Sequence, residues 1–316
     1  MLISQIVAPR TSEIVELPDP EPGPGQVLVE VLACGVCTSD IAPWRSGGSR
    51  EEPLRLGHEM VGRVLTTGAH AGRWARGQLV TGLGDRGFAT RAVLDANAIL
   101  PVPAGIAPEH AIGEPIADLE EALARTNPQP GDRIAVVGLG FMGLGLIQLA
   151  KTRAPGLLVG VDPSPHARER AVRMGADLAF HPDDVPSGMR GEFTPGNDGR
   201  MDIVLEATGV TPGLEASSPL VRPFGTLCVV GYHHAGTAKM DMDLWYKGAT
   251  IVNGFCPDRG RLVAAMHNAL ELIASGRVSY EPLITNRFGL DGIDAAYKLM
   301  DTRDAAFVKS VVLPTA

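Results

Sequence analysis

The nearly continuous apolar run Arg133-Ile-Ala-Val-Val137 passes directly into Gly138-Leu139-Gly140-Phe141-Met142-Gly143, and a helical stretch from Phe141 to about Lys151 follows. A strand without polar alternation is buried on both faces, which calls for a parallel sheet with helices on each side. The glycines add a second constraint. Gly138 permits a tight turn, Gly140 lets the backbone approach a pyrophosphate, and Gly143 allows close helix–strand packing, with the pyrophosphate on the helix N-terminus. The next strand, Leu157-Leu-Val-Gly-Val161, ends in Asp162. An acidic residue there binds the ribose hydroxyls and repels a 2′-phosphate, so the pattern predicts NAD rather than NADP. Gly138, Gly140, Phe141, Met142, Gly143 and Asp162 are therefore candidate cofactor contacts. No arginine directly follows Asp162. Arg168, in the first turn of the next helix, is a further candidate near the ribose.

Strand candidates at Asp202–Glu206, Thr226–Val230 and Thr250–Gly254 bring the apolar strands to five, alternating with helices such as His166–Met174. That alternation predicts a doubly wound α/β sheet. The preceding residues, 1–117, read mostly as β. Gln26-Val-Leu-Val-Glu-Val-Leu alternates in part, and Val61–Leu65, Gln78–Thr81 and Gly87–Val93 are further short strands. Glycine and proline between them suggest a compact barrel or sandwich. A helix is expected over Asp118–Thr126 and another over Leu262–Ser275. The last stretch, 280–316, is mixed and ends in the strand Phe307–Leu313.

The 316 residues are enough for two domains, and 45% are hydrophobic. With 28 Lys and Arg against 36 Asp and Glu, the net charge is −8. No basic stretch stands out, which argues against a nucleic-acid partner. No segment approaches the roughly 20 apolar residues of a membrane span. The start, Met1-Leu-Ile-Ser-Gln-Ile-Val, lacks the basic and long apolar regions of a signal peptide. The chain is read as cytoplasmic.

Four residues from separate segments, Cys37, His58, Glu59 and Glu114, carry a different chemistry. A catalytic zinc takes about three ligands from Cys, His and carboxylate and keeps one position open. Scattered ligands that meet only through the fold suit such a site, whereas a structural zinc knuckle uses paired short spacings. Cys34-Gly-Val-Cys37 is formally a C-x-x-C, but no thioredoxin-like context or second ligand pair accompanies it. Cys37 is read as the ligand and Cys34 as a small buried hydrophobe.

Ala33-Cys-Gly-Val-Cys-Thr-Ser-Asp40, Gly57-His-Glu-Met-Val-Gly62, Glu114-Pro115 and the glycine motif at 138–143 together resemble the zinc-dependent medium-chain alcohol and polyol dehydrogenases. Glu114-Pro-Ile places the chain nearest the sorbitol dehydrogenase branch. Glu206-Ala-Thr-Gly209 is similar to that family's fourth-strand motif. The resemblance implies a GroES-like catalytic domain of 1–117 and 280–316 around a Rossmann NAD-binding domain of 118–279. It implies zinc on Cys37 and His58, with Glu59 and Glu114 as the carboxylates, either of which could bind directly. Asp40 would orient the ligand histidine, Ser39 would take the alcohol proton, and Lys309 would contact the cofactor phosphate. His233 and His234, after Gly231, are possible pocket residues, as are Trp44, Trp74, Tyr232 and Phe255. A homodimer or homotetramer is also implied.

The chain departs from that pattern at three places. The four-cysteine lobe of a structural zinc should fall between Gly82 and Gly87, where only Gly82-Leu-Gly-Asp-Arg-Gly87 stands. One zinc per subunit is therefore expected. Ala42 occupies the place of a relay histidine, and Glu114 that of a cysteine in the ethanol-type enzymes. The implied reaction is hydride transfer from a secondary alcohol, of polyol, cyclitol or sugar-like type, to NAD. Simple aliphatic alcohols are the alternative. A zinc-free quinone or enoyl reductase and a non-enzymatic nucleotide-binding protein are the rival classes.

Overall fold

The computed structural model describes residues 1–192, 199–234, 236–302 and 306–315. It divides into two compact units, residues 1–117 with 259–316, and residues 118–258.

The first unit begins with an antiparallel pair, β1 (Leu2–Ala8) and β2 (Thr11–Glu16). β3 (Gln26–Gly35) is its longest strand, and a short helix α1 (Ile41–Ser46) follows. Next come β4 (Glu59–Thr67), β5 (Leu79–Leu83), β6 (Arg91–Asp95) and β7 (Ile99–Pro101). Helix α2 (Gly113–Arg125) carries the chain across the boundary at 117/118. It starts five residues ahead of the expected Asp118. Gly113 and Pro115 read as breakers, yet a proline in the first turn forfeits only an N–H that has no helical partner there. Glu114 consequently lies in the first turn, where the helix dipole favours a carboxylate.

The second unit holds β8 (Arg133–Val137), α3 (Phe141–Lys151), β9 (Leu157–Val161), α4 (Pro165–Arg173), β10 (Leu178–Phe180) and β11 (Met201–Glu206). It continues through α5 (Thr211–Ser217), β12 (Val221–Val229), α6 (Asp243–Tyr246) and β13 (Thr250–Asn253). Six strands, one more than expected, run parallel in the order β10-β9-β8-β11-β12-β13. This is the doubly wound order of dinucleotide-binding sheets, with its switch point between β8 and β11. Ile134 to Val137 are buried, as are Leu144 to Ala150 of α3, so helix and strand are both enclosed. Ser164 caps α4 by accepting from Ala167 N–H at 3.3 Å.

The chain then returns to the first unit through α7 (Arg259–Ala274), β14 (Ile284–Phe288), α8 (Ile293–Thr302) and β15 (Lys309–Val312). Helix α7 groups with the first compact unit, which resumes at residue 259, whereas the sequence expectation put that boundary at 279/280. An amphipathic helix shows that it buries a face but not which sheet covers it. In the first unit the strand order is β14-β15-β3-β4-β5-β7, and β6 also pairs with β3. Register shifts in the β3–β4 ladder, between Leu28 and Val29 and between Val31 and Ala33, add local twist. The core gathers Val27, Val29, Val31, Met60, Val64, Phe88, Leu94 and Tyr297. Trp44 and Trp74 belong to it as well, not to a pocket: their indole N–H groups donate to Asp294 and to the Ala96 carbonyl, both at 2.9 Å. Among the described residues, no helix is long and apolar enough to cross a membrane.

Candidate metal centre and dinucleotide site

Two strand ends and one turn assemble the metal-ligating residues. Cys37 follows β3 by two residues, and His58 immediately precedes β4. Gly35 and Glu59 are register partners at the ends of those strands. The turn before His58 depends on Gly57, at φ +100°, where a Cβ would stand 2.7 Å from the Phe88 nitrogen. Gly87 N–H donates to the Gly57 carbonyl at 2.7 Å. The short 82–87 connection thus packs directly under the metal-binding turn.

The ligand atoms of Cys37, His58 and Glu59 lie within 4.8 Å of one another. That approaches the spacing of ligands held about 2.0–2.3 Å from one zinc ion. Among the described residues they form the one group of three or more metal-ligating side chains. Glu114 stands outside the trio but near enough for its charge to act on His58.

The donor set suits a divalent cation. Glu59 is 1% exposed, and its Oε1 accepts from Lys309 Nζ at 2.7 Å. The ammonium is equally close to Oε2, at 2.6 Å, so the ion pair engages both oxygens of the carboxylate. Asp40 is also buried, with Oδ2 unpartnered and Oδ1 3.7 Å from His58 Nδ1. That separation is electrostatic rather than a hydrogen bond. Buried acceptors without donors are what a cation would satisfy.

Without metal, burial pushes the Cys37 thiol up to about 11, reinforced by the Glu59 charge and opposed by Lys309 and by hydrogen bonds from Ser39. Zinc takes the thiolate, so binding would release that proton. Burial also lifts Asp40 to about 6, against the pull of His58. For His58, burial disfavours the charged ring, but Glu59, Glu114 and Asp40 together raise its pKa. Ser39 is exposed beside Cys37.

Lys309, expected at the cofactor phosphate, lies buried against Glu59 in the sheet of the first unit. Burial pulls its pKa down, but the Glu59 and Cys37 charges outweigh that and raise it.

In the second unit, Gly138 has φ +88° and Gly140 is the N-cap of α3. A Cβ on Gly143 would lie 1.8 Å from the Gly138 carbonyl oxygen, whereas one on Gly140 would meet nothing within 4 Å. Gly143 is thus fixed by packing, and Gly140 faces open space in front of the helix N-terminus. Phe141 is buried, and Met142 is half-buried beside it. Asp162 accepts Leu139 N–H on Oδ2 at 2.8 Å and Ser164 N–H on Oδ1 at 2.7 Å, tying the glycine loop to the end of β9. Each oxygen keeps acceptor capacity for a ribose hydroxyl. Arg168 donates to the carbonyls of Asp162 and Pro163, both at 2.8 Å, so it braces this strand end.

Sequence reasoning missed a paired buried carboxylate in the second unit. Glu206, at the end of β11, is 0% exposed. It accepts N–H groups of Thr208 and Gly209 at 2.7 and 3.1 Å and the Thr208 hydroxyl, and it pairs with His233 Nε2 at 3.1 Å. The Glu206-Ala-Thr-Gly209 motif signalled the turn. Only the fold joins it to His233.

Comparison with known proteins agrees with both halves. The description "Alcohol dehydrogenase GroES-like domain" matches residues 23–104, and "Zinc-binding dehydrogenase" matches residues 142–275. L-threonine 3-dehydrogenase of Pyrococcus horikoshii is 30% identical, over 92% of each chain. The chain belongs to the zinc-binding alcohol dehydrogenase family. Sorbitol dehydrogenase of Halalkalibacterium halodurans is 26% identical to this dehydrogenase, over 95% of each chain. A zinc-binding dehydrogenase structure from Sinorhizobium meliloti, bound to NADP, superposes with a TM-score of 0.84. At 23% identity over 99% of this chain and 100% of that one, it shows the shared fold. The GroES-like and Rossmann architectures expected from the sequence are both present, and the protein is a zinc-dependent oxidoreductase acting on alcohols.

Proposed function

We propose that the dehydrogenase oxidises a secondary alcohol of polyol, cyclitol or sugar-like type to the ketone, with NAD as hydride acceptor. The observation that carries this reading is the convergence of Cys37, His58 and Glu59, with the ligand atoms within 4.8 Å of one another. In this reading Cys37, His58 and Glu59 hold one zinc. Glu114 adds negative charge beside them from the start of α2. Bound zinc supplies a Lewis acid that lowers the pKa of a substrate hydroxyl. Ser39, exposed next to Cys37, takes the alcohol proton. Ala42 offers no imidazole to relay it, so the proton passes on to the nicotinamide ribose or to water.

The α3 N-terminus and glycine loop hold the pyrophosphate, and Asp162 reads the adenosine ribose. The substrate class is supported by the similarity to sorbitol dehydrogenase and by a further 25% identical relative, an L-galactonate-5-dehydrogenase of Escherichia coli. A panel of polyols, sugar acids, threonine and simple alcohols, run with zinc and either dinucleotide, tests it. Expected are turnover of a secondary alcohol and a higher kcat/KM with NAD. Preference for NADP would refute the role of Asp162, and turnover of primary alcohols alone would refute the substrate class.

We place the enzyme in the cytoplasm, in keeping with four cysteines that are all free. We also infer a dimer or a tetramer of two dimers. β13 ends the sheet of the second unit, and Ile251 on it is 46% exposed. Phe224, Trp245 and Tyr246 nearby are 81%, 71% and 66% exposed. An apolar sheet edge of this kind needs covering. Light scattering at micromolar concentration should give at least twice the chain mass, and a monomer would contradict the assignment.

A further inference from the structure

We propose that Lys309 is a positioning residue of the metal centre, holding the Glu59 carboxylate against its ammonium and so fixing the direction from which it can meet the metal. The inference rests on the reading of Glu59 as a metal ligand. Three adjacent strands produce the arrangement. β15 pairs with β3, with Val311 opposite Gly35, and β3 pairs with β4, with Gly35 opposite Glu59. The Lys309 side chain therefore crosses the intervening β3 to reach the carboxylate on β4.

Gly35 makes that crossing possible. A Cβ at this position would stand 1.9 Å from Glu59 Oε2 and 3.1 Å from Lys309 Cε. Any other residue would push the carboxylate aside. The lysine backbone is anchored independently. Thr285 of β14 accepts the Lys309 N–H at 3.3 Å and donates to its carbonyl at 3.2 Å. Both charged side chains are nearly inaccessible, at 4% and 1% exposure.

The ammonium holds the carboxylate through both oxygens, with Nζ 2.7 Å from Oε1 and 2.6 Å from Oε2. A carboxylate pinned in this way keeps one orientation, which is how outer-shell groups orient ligands and tune affinity. Lys309 also offsets one negative charge in a centre that holds Glu59, Asp40 and the nearby Glu114, and in which Cys37 would bind zinc as the thiolate. This role differs from a contact to the cofactor phosphate, and the two make opposite predictions.

The test uses chelator competition for zinc, the visible spectrum of the cobalt-substituted protein, and NADH binding by fluorescence, on Lys309→Met, Lys309→Arg, Gly35→Ala and Glu59→Gln. Lys309→Met should weaken zinc binding about 10- to 100-fold. It should also shift the cobalt spectrum and leave the NADH dissociation constant within about twofold, a threshold we set. Lys309→Arg should recover most of the zinc affinity. Gly35→Ala should weaken zinc binding as well, because it displaces only the end of a flexible side chain. It carries the test if Lys309→Met does not fold.

If Glu59→Gln keeps full zinc affinity, the reading of Glu59 as a ligand fails. If Glu59→Gln loses the metal while Lys309→Met and Gly35→Ala keep it with an unchanged cobalt spectrum, the positioning role fails. A loss of NADH affinity in Lys309→Met with normal zinc binding would return Lys309 to the cofactor phosphate.

Discussion

Replacing Cys37 with alanine should strip the metal and abolish activity together, while Cys34→Ala should keep both. The two cysteines differ by three positions and by environment. Cys37 is half-buried, carries hydrogen bonds from Ser39 to its sulfur, and lies within reach of His58 and Glu59. Cys34 is 0% exposed in the core with Met60 and Phe88, and its thiol donates to the Gly35 carbonyl at 3.7 Å. Burial raises its pKa well above the ordinary thiol value, so it stays protonated and inert. Loss of a direct thiolate ligand should exceed the roughly 10- to 100-fold effect of an outer-shell change and leave no measurable turnover. Cys34→Ala should cost about 1 kcal/mol of stability and nothing in metal content. Metal analysis and steady-state kinetics on both variants decide it. The wild-type protein should hold one zinc per chain, because the 82–87 connection carries no cysteine. Two tightly held ions per chain, or a fully metallated Cys37→Ala, would refute the assignment.

The metal-ligating set was legible because its chemistry is carried by residue type. A cysteine, a His-Glu pair and Glu-Pro on separate segments suit few other purposes together. The dinucleotide loop was legible because glycine positions encode backbone approach: Gly138 has a positive φ, Gly143 is fixed by packing, and Gly140 has open space around it. The misses share a different cause, since each depends on contacts between distant segments. β10 is three residues long and half-exposed, too short for an apolar run to mark it. The start of α2 was hidden by Gly113 and Pro115, which signal a break everywhere except a first helical turn. The contact of Lys309 with Glu59 could not be read either, since its expected place at the cofactor phosphate came from the family resemblance alone. Its partner, Glu59, is set by the β15-β3-β4 strand order and by the missing side chain of Gly35. The Glu206–His233 pair is likewise invisible until β11 and β12 lie side by side.

These long-range features share one physical logic at the metal centre. A buried carboxylate next to a thiolate is costly unless cations balance it. The fold supplies one cation, from Lys309, against both oxygens of Glu59, and leaves Asp40 Oδ2 without a donor. In the proposed reading a divalent ion is the second cation.

Ser39→Ala should lower kcat by at least about 10²-fold, the low end of what a general acid–base group contributes. Ser39 is exposed in the turn that follows Cys37, so its hydroxyl is accessible from solvent as well as adjacent to the metal-binding sulfur. Ala42 begins the next turn of chain without a titratable group, which leaves Ser39 as the nearest matched proton acceptor. Because Ser39 also donates hydrogen bonds to Cys37, the alanine variant must be checked for zinc. The Ser39 backbone N–H survives the substitution, so zinc content and NADH affinity should stay near wild type. Ala42→His should raise the rate only modestly near neutral pH, where imidazole titrates. Kinetics across pH on both variants, with zinc quantified in each, separate the explanations. If Ser39→Ala keeps its zinc and near-full kcat, the alcohol proton leaves through solvent and Glu114 instead, and Ser39 serves only to hold the Cys37 sulfur.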